Sequence, residues 1–225
     1  MNPDKSAKMS AAVRHYALFL LGLAVASMGV AFTTKGGLGT SPVASVPYSV
    51  SLISPLLSFG SWLNLLSVLQ IITQVVILRG KCSWLEIAVQ TVLAFVYGYL
   101  TDFSCWLIRG INVSVYPMQF AFMLLGCLIL SFGIWIQLKG GVAMMPGEAL
   151  NRAISKATGR KFGNVKIVLD LLYIAVAAVI CLVFLGELKG VREGSIIAAL
   201  TVGSLIKLFN RIYDQWFSGQ KHKPA

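Results

Sequence analysis

The side chain most able to do chemistry in this sequence is an aspartate inside an apolar run. Asp170 lies in the stretch FGNVKIVLDLLYIAV, which is otherwise mostly apolar. An ionised carboxylate is costly in hydrocarbon, so such a residue usually faces a cavity or a partner. Lys166 lies four residues earlier on the same helical face and could supply that partner. Asp170 is therefore a candidate ligand for a cation, a proton or an amine, with a simple ion pair as the alternative.

Two glycine turns with the same spacing form a second candidate feature. Residues 35–42 read KGGLGTSP and residues 139–146 read KGGVAMMP. Paired glycines relieve backbone sterics and proline suits the first turn of a helix, so each stretch predicts a turn followed by a short helix. Transporters built from inverted repeats often aim such helix N-termini at their substrate. The alternative is a tight connection at the membrane surface.

Polar residues in and near these turns complete the predicted binding set. Ser41 is a residue type that caps helices, and Glu148 would lie in the first turn of the second short helix, where it could simply complement the helix dipole. Asn64, Gln70 and Gln74 on one apolar segment could line a pore or pack helices together. The candidate binding residues are Asp170, Gly36, Gly37, Thr40, Ser41, Gly140, Gly141, Pro146, Glu148, Asn64 and Gln70.

Other kinds of chemistry find no support in the sequence. The only histidines, His15 and His222, lie near the termini, so none is placed to activate a serine or cysteine in the apolar segments. The cysteines lack C-x-x-C spacing; they are Cys82, Cys105, Cys127 and Cys181. The net charge of +11 comes from short segments between apolar runs rather than from a basic domain. We therefore expect no enzyme, no catalytic residue, no metal, no cofactor and no nucleic-acid partner.

The composition predicts a protein of the lipid bilayer. Hydrophobic residues make up 57% of the chain, charged residues 12%, and the mean hydropathy is +0.79. About 20 helical residues cross the hydrocarbon core. Six segments fit: Tyr16–Thr34, Ser61–Leu78, Trp84–Ile108, Pro117–Leu138, Val165–Leu185 and Gly194–Ile212. Glu86, Gln90 and Asp102 interrupt the third and Lys207 the last. The first has no cleavage site after it and is expected to be retained.

The basic residues predict the orientation. Of the 19 Lys and Arg residues, fifteen fall on one side of the six-span scheme and four on the other, namely Lys35, Arg109, Lys189 and Arg192. Cytoplasmic segments of membrane proteins carry the excess of Lys and Arg. Both termini are therefore predicted to be cytoplasmic.

The glycine turns also indicate an internal repeat. They align at an offset of 104 residues, which also pairs Gly29 with Gly133, and Gly98 pairs with Gly203 within one residue of that offset. Each copy contains three spans, and an odd number of spans turns the second copy upside down. The predicted fold is an all-α membrane protein of two inverted three-helix repeats. Its parts are a tail at 1–13, repeat one at 14–109, repeat two at 116–212 and a tail at 213–225.

Each repeat is expected to contain a short helix or partly re-entrant segment after its first span. In repeat one the segment is VASVPYSVSLISPLLS, too long for a turn and too apolar for a solvated loop. In repeat two it is GEALNRAISKATG, where apolar residues follow helical spacing. That spacing leaves Asn151, Arg152, Ser155 and Lys156 on the other face.

The stretches LGLAVASMGVAFTTKGGLGTSP and LGCLILSFGIWIQLKGGVAMMPGEAL resemble the bacterial YczE/YyaS/YitT-type membrane proteins. The likeness covers most of the chain. It implies a multi-pass protein of the bacterial inner membrane in an uncharacterised family, and it supplies neither a substrate nor catalytic residues.

These observations favour a small secondary transporter or exporter of a small solute, with its site between the inverted repeats and with proton or cation coupling left open. The alternative is a non-transporting membrane protein with a regulatory or assembly role. A homo-oligomer is compatible with either function.

Overall fold

A computed structural model describes residues 3–220 of the chain, with side chains from residue 13 to residue 215. Within that part the chain is helical and contains no strand. The helices are α1 (Pro3–Gly36), α2 (Pro42–Ile53), α3 (Phe59–Ile77), α4 (Trp84–Leu107), α5 (Tyr116–Gly140), α6 (Pro146–Thr158), α7 (Phe162–Leu185) and α8 (Glu193–Gln220). The charges predicted for the tails at Lys5, Lys8, Lys221 and Lys223, and the predicted position of His222, lie outside the described side chains.

Six of these helices are long and apolar enough to cross a membrane. They are α1 from Val13, α3, α4, α5, α7 and α8, with spans of 19 to 25 residues. The prediction of an all-helical, multi-pass membrane protein with six spans is confirmed. Helix α1 begins at Pro3, so it extends back into the segment predicted as a tail.

The two short helices are also present, and they differ in character. Helix α2 is apolar and contains Pro47, whereas α6 is amphipathic. Both begin with proline in the first turn, and α6 ends at Gly159 in the left-handed region with φ of 69°. Ser41 occupies the N-cap position of α2, but its hydroxyl accepts no bond from the first turn, so the expected side-chain cap is absent there.

The buried surface of helix α6 is wider than the apolar stripe in its sequence predicts. Arg152 and Lys156 are exposed as expected, but Asn151 is buried, which corrects its predicted place on the polar face. The reason is that α6 packs against α3 on one flank and α7 on another, so the buried arc includes a polar position.

Helices α1 and α5 form the centre of the bundle through close backbone contact. A Cβ on Gly29 would overlap the backbone nitrogen of Leu130, and one on Gly133 would overlap that of Ala26. The end of α1 approaches the start of α5, so the helices are antiparallel. The glycines on these two helices permit close approach, as in many membrane helix pairs.

The remaining helices are arranged around this pair in a regular way. Helix α4 packs on α1 and α8 on α5, α2 packs on α7 and α6 on α3, and each short helix packs on the span that follows it. Exchanging α1–α4 for α5–α8 leaves this set of packed pairs unchanged. One difference occurs in the described chain: α3 packs on α4, but α7 forms no comparable contact with α8.

The bundle has two ends, called here the near end and the far end. At the near end the start of α1 meets the end of α5, where His15 Nδ1 and the Gly140 carbonyl oxygen are 2.9 Å apart. At the far end the ends of α1 and α4 meet, and Lys35 Nζ donates to the Arg109 carbonyl at 2.9 Å.

Candidate functional site

A cavity of about 680 Å³ opens at the near end of the bundle. Helices α1, α3, α4, α5 and α6 form its wall together with the turn at 141–145. Its polar lining consists of Tyr16, Gln74, Glu86, Gln90, Gln137, Glu148, Arg152 and Lys156, and its apolar lining includes Phe19, Met144 and Met145. A concave space of this size that combines apolar surface with convergent polar groups is a common form of small-molecule site, and here the polar share is large.

Helix α6 supplies three of the four charged side chains that line the cavity, and these three lie at successive depths. Glu148, Arg152 and Lys156 follow at intervals of four residues, so they share one face. The start of α6 lies against α3, since a Cβ on Gly147 would be 3.6 Å from Gln70 Nε2. Gln70 is about 10 Å inside the near end of α3, which ends at Ile77. Glu148 is therefore deep and half-buried, whereas Arg152 and Lys156 are exposed towards the mouth.

The charged side chains that line this cavity form no salt bridge within the described part of the chain. Among the described side chains, neither Glu86 nor Glu148 forms a salt bridge with any Lys or Arg. Within the described chain, the side-chain hydrogen bond of Arg152 is a weak one to Met144 Sδ at 3.5 Å. Burial raises the pKa of Glu148 above its usual value of 4.5, and the positive charge of Lys166 opposes that shift. The cavity thus presents charged groups that form no salt bridge with any described side chain, and Lys166 acts on Glu148 only from a distance.

Two glutamines add uncommitted amides to the same wall. Gln74 on α3 and Gln90 on α4 are each 5% exposed, and the Oε1 atom of each is buried without a hydrogen-bond partner in the described part of the chain. An unsatisfied buried polar atom costs about 1–3 kcal/mol. The described chain has three more such atoms outside the cavity lining, in Trp62, Asn64 and Asn151.

Asp170 lies outside this cavity lining. Its carboxylate accepts a bond from Lys166 Nζ at 2.9 Å, and its side chain is 13% exposed. This is the ion pair that the sequence offered as the alternative to a binding role. Asp102, which interrupts the third span, instead accepts bonds from Ser58 Oγ and from the Gly60 N–H at 2.7 Å. It therefore caps the start of α3 from α4.

Of the other predicted binding residues, Gly141 and Glu148 line the cavity. Gly141 ends α5 in the left-handed region with φ of 61°. Pro146 is buried at the start of α6. Gln70 donates through Nε2 to the Tyr173 hydroxyl at 2.9 Å and so connects α3 to α7.

Three more of the predicted residues serve helix packing. Asn64 is buried against α4, where a Cβ on Gly98 would overlap its Oδ1. Gly36 and Gly140 lie where α1 and α5 approach most closely at the far and near ends. The glycine spacing predicted that both residues belong to turns facing a bound solute. Their backbones instead contact the opposite helix.

At the far end, the first glycine turn is closed against α8. Thr40 is fully buried, and its N–H donates to Ser195 Oγ at 3.2 Å while its hydroxyl lies 3.1 Å from that of Thr33. The Gly194 N–H donates to the Leu38 carbonyl at 2.9 Å. Of the predicted residues in this turn, Thr40 is packed against α8, Ser41 is half-buried, and Gly37 borders a far-end cavity of about 700 Å³ that is otherwise lined by the α7–α8 loop and the start of α8.

The amino-acid sequence matches a known protein family. The model of a family of unknown function, DUF6198, matches residues 13–211. The chain belongs to the DUF6198 family. It is also 24% identical over 209 residues to the "Uncharacterized protein YyaS" of Bacillus subtilis (strain 168), an alignment that covers 92% of this chain and 98% of that protein. The resemblance to YyaS-type proteins is therefore confirmed. No solved structure matches the chain.

Sequence reasoning did not assign several lining residues of this DUF6198 chain to the site. In the sequence, Gln90 and Glu86 stand out only as interruptions of a span, and Arg152 and Lys156 only as a polar helix face. The one signal that could have found them is that they all lie near the same predicted end of the bundle as the second glycine turn. Ser195, which closes the far end, carries no distinguishing signal in the sequence.

Proposed function

We propose that this DUF6198 protein is a small secondary transporter in which a small polar solute crosses by alternating access between two inverted repeats. The observation that carries the proposal is the difference between the two ends. The turn at 141–145 borders a cavity formed by five helices and lined by eight polar side chains, whereas in the equivalent turn Leu38 and Thr40 are bonded to α8. A far-end cavity of about 700 Å³ reaches that turn only at Gly37, and the α7–α8 loop and the start of α8 form the rest of its lining. In an alternating-access protein the two ends open in turn, so one state should have this asymmetry.

The contacts of α1 and α5 support the inverted arrangement. Gly29 approaches Leu130, and Gly133 approaches Ala26. Gly29 and Gly133 are 104 residues apart, as are Ala26 and Leu130, so exchanging the halves converts one contact into the other. Because the two helices are antiparallel, the axis that relates them would lie in the membrane plane.

The same register suggests what the other state would look like. Thr40 corresponds to Met144, and Ser195 on α8 corresponds to Gln90 on α4 at the neighbouring offset of 105. Opening the far end would break the Thr40–Ser195 contact. Closing the near end would bring the turn that holds Met144 against the start of α4 and cover Gln90.

A covalent lock between α2 and α7 provides the test. The Cys181 thiol donates to Ser49 Oγ at 3.2 Å, so Ser49→Cys would place two sulfurs within reach of a disulfide. Cys82, Cys105 and Cys127 are replaced by serine to remove other thiols. Reporter cysteines are then introduced separately at Thr40 and at Met144 and labelled with a maleimide in membrane vesicles.

Without the lock, we expect fast labelling at Met144→Cys and slow labelling at Thr40→Cys, because the far end opens only transiently. Oxidising the Ser49→Cys pair should stop labelling at Thr40→Cys, leave that at Met144→Cys, and be reversed by reductant. A variant that carries Ser49→Cys with Cys181→Ser cannot form the lock and is the matched control. If Thr40→Cys never reacts, or reacts equally with the lock formed, alternating access is contradicted and the non-transporting alternative is favoured.

A further inference from the structure

We propose that the near-end cavity binds a small zwitterion, with its ammonium group at Glu148 and the amide oxygens of Gln74 and Gln90, and its carboxylate at Arg152. The inference rests on the proposed function, since it names the solute class of that transporter.

The first argument is the separation of two opposite charges on α6. Glu148 and Arg152 have the spacing and order at which an acid and a base normally pair along a helix. Lys166 and Asp170 form such a pair on α7, with nitrogen and oxygen 2.9 Å apart. Glu148 and Arg152 form none, and both line the cavity. A ligand with both charges could complete the pair from within the cavity.

The second argument is the set of hydrogen-bond acceptors near the acid. The Oε1 atoms of Gln74 and Gln90 are buried without a donor. An ammonium group carries three N–H donors, so it could bond the Glu148 carboxylate and both amide oxygens together once the two amides turn their buried oxygens towards the cavity. A ligand with only acceptor groups would leave these oxygens unsatisfied.

The third argument is the balance of charge over the whole lining. Two acids, Glu86 and Glu148, face two bases, Arg152 and Lys156. A simple anion would meet the Glu148 carboxylate in the interior. A simple cation would meet Arg152 and Lys156 near the mouth, where the acid Glu86 also lies. A solute with both charges and no net charge fits both regions. Phe19, Met144 and Met145 offer apolar surface for its carbon skeleton.

The test measures ligand-dependent melting of the purified full chain with matched compounds. The probes are α-, β- and γ-amino acids of two to six carbons, each accompanied by the amine that lacks its carboxylate and the acid that lacks its ammonium group. We expect at least one amino acid to raise the melting temperature, with its matched amine and acid ineffective at tenfold higher concentration. An amine or acid that stabilises as well as its parent amino acid would overturn the proposal, as would a panel in which no amino acid stabilises.

Variants then assign the two charges. Glu148→Gln and Arg152→Gln should each weaken binding of the active amino acid at least tenfold, while Glu187→Gln, which alters a surface ion pair outside the cavity, should leave it unchanged. Glu148→Asp keeps the charge and should retain part of the affinity, which separates loss of binding from loss of folding. Unchanged binding in both glutamine variants would overturn the assignment.

The outcomes for the two proposals are separable. Amino-acid binding without movement at the Thr40 reporter would preserve the zwitterion site and contradict transport. Movement at that reporter without selective amino-acid binding would preserve transport and contradict the zwitterion.

Discussion

At the scale of single residues, hydropathy identifies where a charge is costly but not how the protein offsets the cost. Asp170 lies in the most apolar of the six spans, where an ionised side chain is costly. Lys166 neutralises it locally, and that partner is visible in the sequence as a neighbour at helical spacing. Glu148 shows the opposite behaviour. It forms no salt bridge with any described side chain, and this depends on a cavity built by several distant helices, so local sequence could not reveal it.

Glu148→Gln should change the pH dependence of stability. Burial raises the pKa of Glu148 in the folded chain above its usual 4.5, so the folded chain holds that proton more tightly than the unfolded chain does. The protonated Glu148 therefore contributes to the free energy of unfolding. That contribution is complete below pH 4.5 and is lost as the pH rises through the higher pKa of the folded chain. Glutamine does not titrate, so Glu148→Gln should not lose stability in this pH range through position 148.

Melting curves from mildly acidic to neutral pH test this expectation. Glu148→Gln should gain relative to the wild type as the pH rises, by about 2–4 °C at neutral pH if the ionised form costs about 1 kcal/mol. Glu187→Gln, in the exposed pair with Lys189, is the control and should show no such trend. Parallel curves for the wild type and Glu148→Gln would contradict the buried environment assigned to this acid.

At the scale of helices, the sequence predicted most of the elements because their signals are local. Runs of apolar residues fixed the six spans, and proline after a glycine turn indicated both short helices. The environments of the short helices were less predictable. Helices α2 and α6 follow related turns, yet the turn before α2 is packed on α8 and the turn before α6 borders the cavity. That difference arises from contacts between distant segments.

Two glycine substitutions test the close packing of α1 and α5. A Cβ on Gly29 would overlap the backbone of Leu130, so Gly29→Ala must push the helices apart. Overpacking of this kind typically costs about 1–3 kcal/mol. A Cβ on Gly203 of α8 would meet no atom within 4 Å, so Gly203→Ala should be neutral or gain up to about 1 kcal/mol from helix propensity. Thermal unfolding in detergent compares them, and a wild-type melting temperature for Gly29→Ala would argue against this packing.

At the scale of the whole molecule, the repeat in the sequence predicts two similar halves but not the difference between their ends. The helix pairs that pack in one half have counterparts in the other, apart from α3 on α4. Because the two halves have similar sequence patterns, the sequence does not show which end is closed. That choice depends on a small free-energy difference between two global arrangements. The charge distribution, by contrast, acts on each connecting segment and does predict how the molecule lies in the bilayer.

The orientation can be tested with two exposed lysines at opposite ends. Lys156 lies at the near-end cavity, and Lys189 lies in the far-end loop after α7. Fifteen of the 19 Lys and Arg residues belong to the near side or to the tails that continue from it, so we expect the near end to face the cytoplasm. In a chain without its native cysteines, an impermeant maleimide should label Lys189→Cys in intact cells and Lys156→Cys only after the membrane is opened. Both changes remove one lysine from an exposed position, so each controls for the other. Labelling of Lys156→Cys in intact cells would reverse the orientation, and the cavity of this state would then open to the outside.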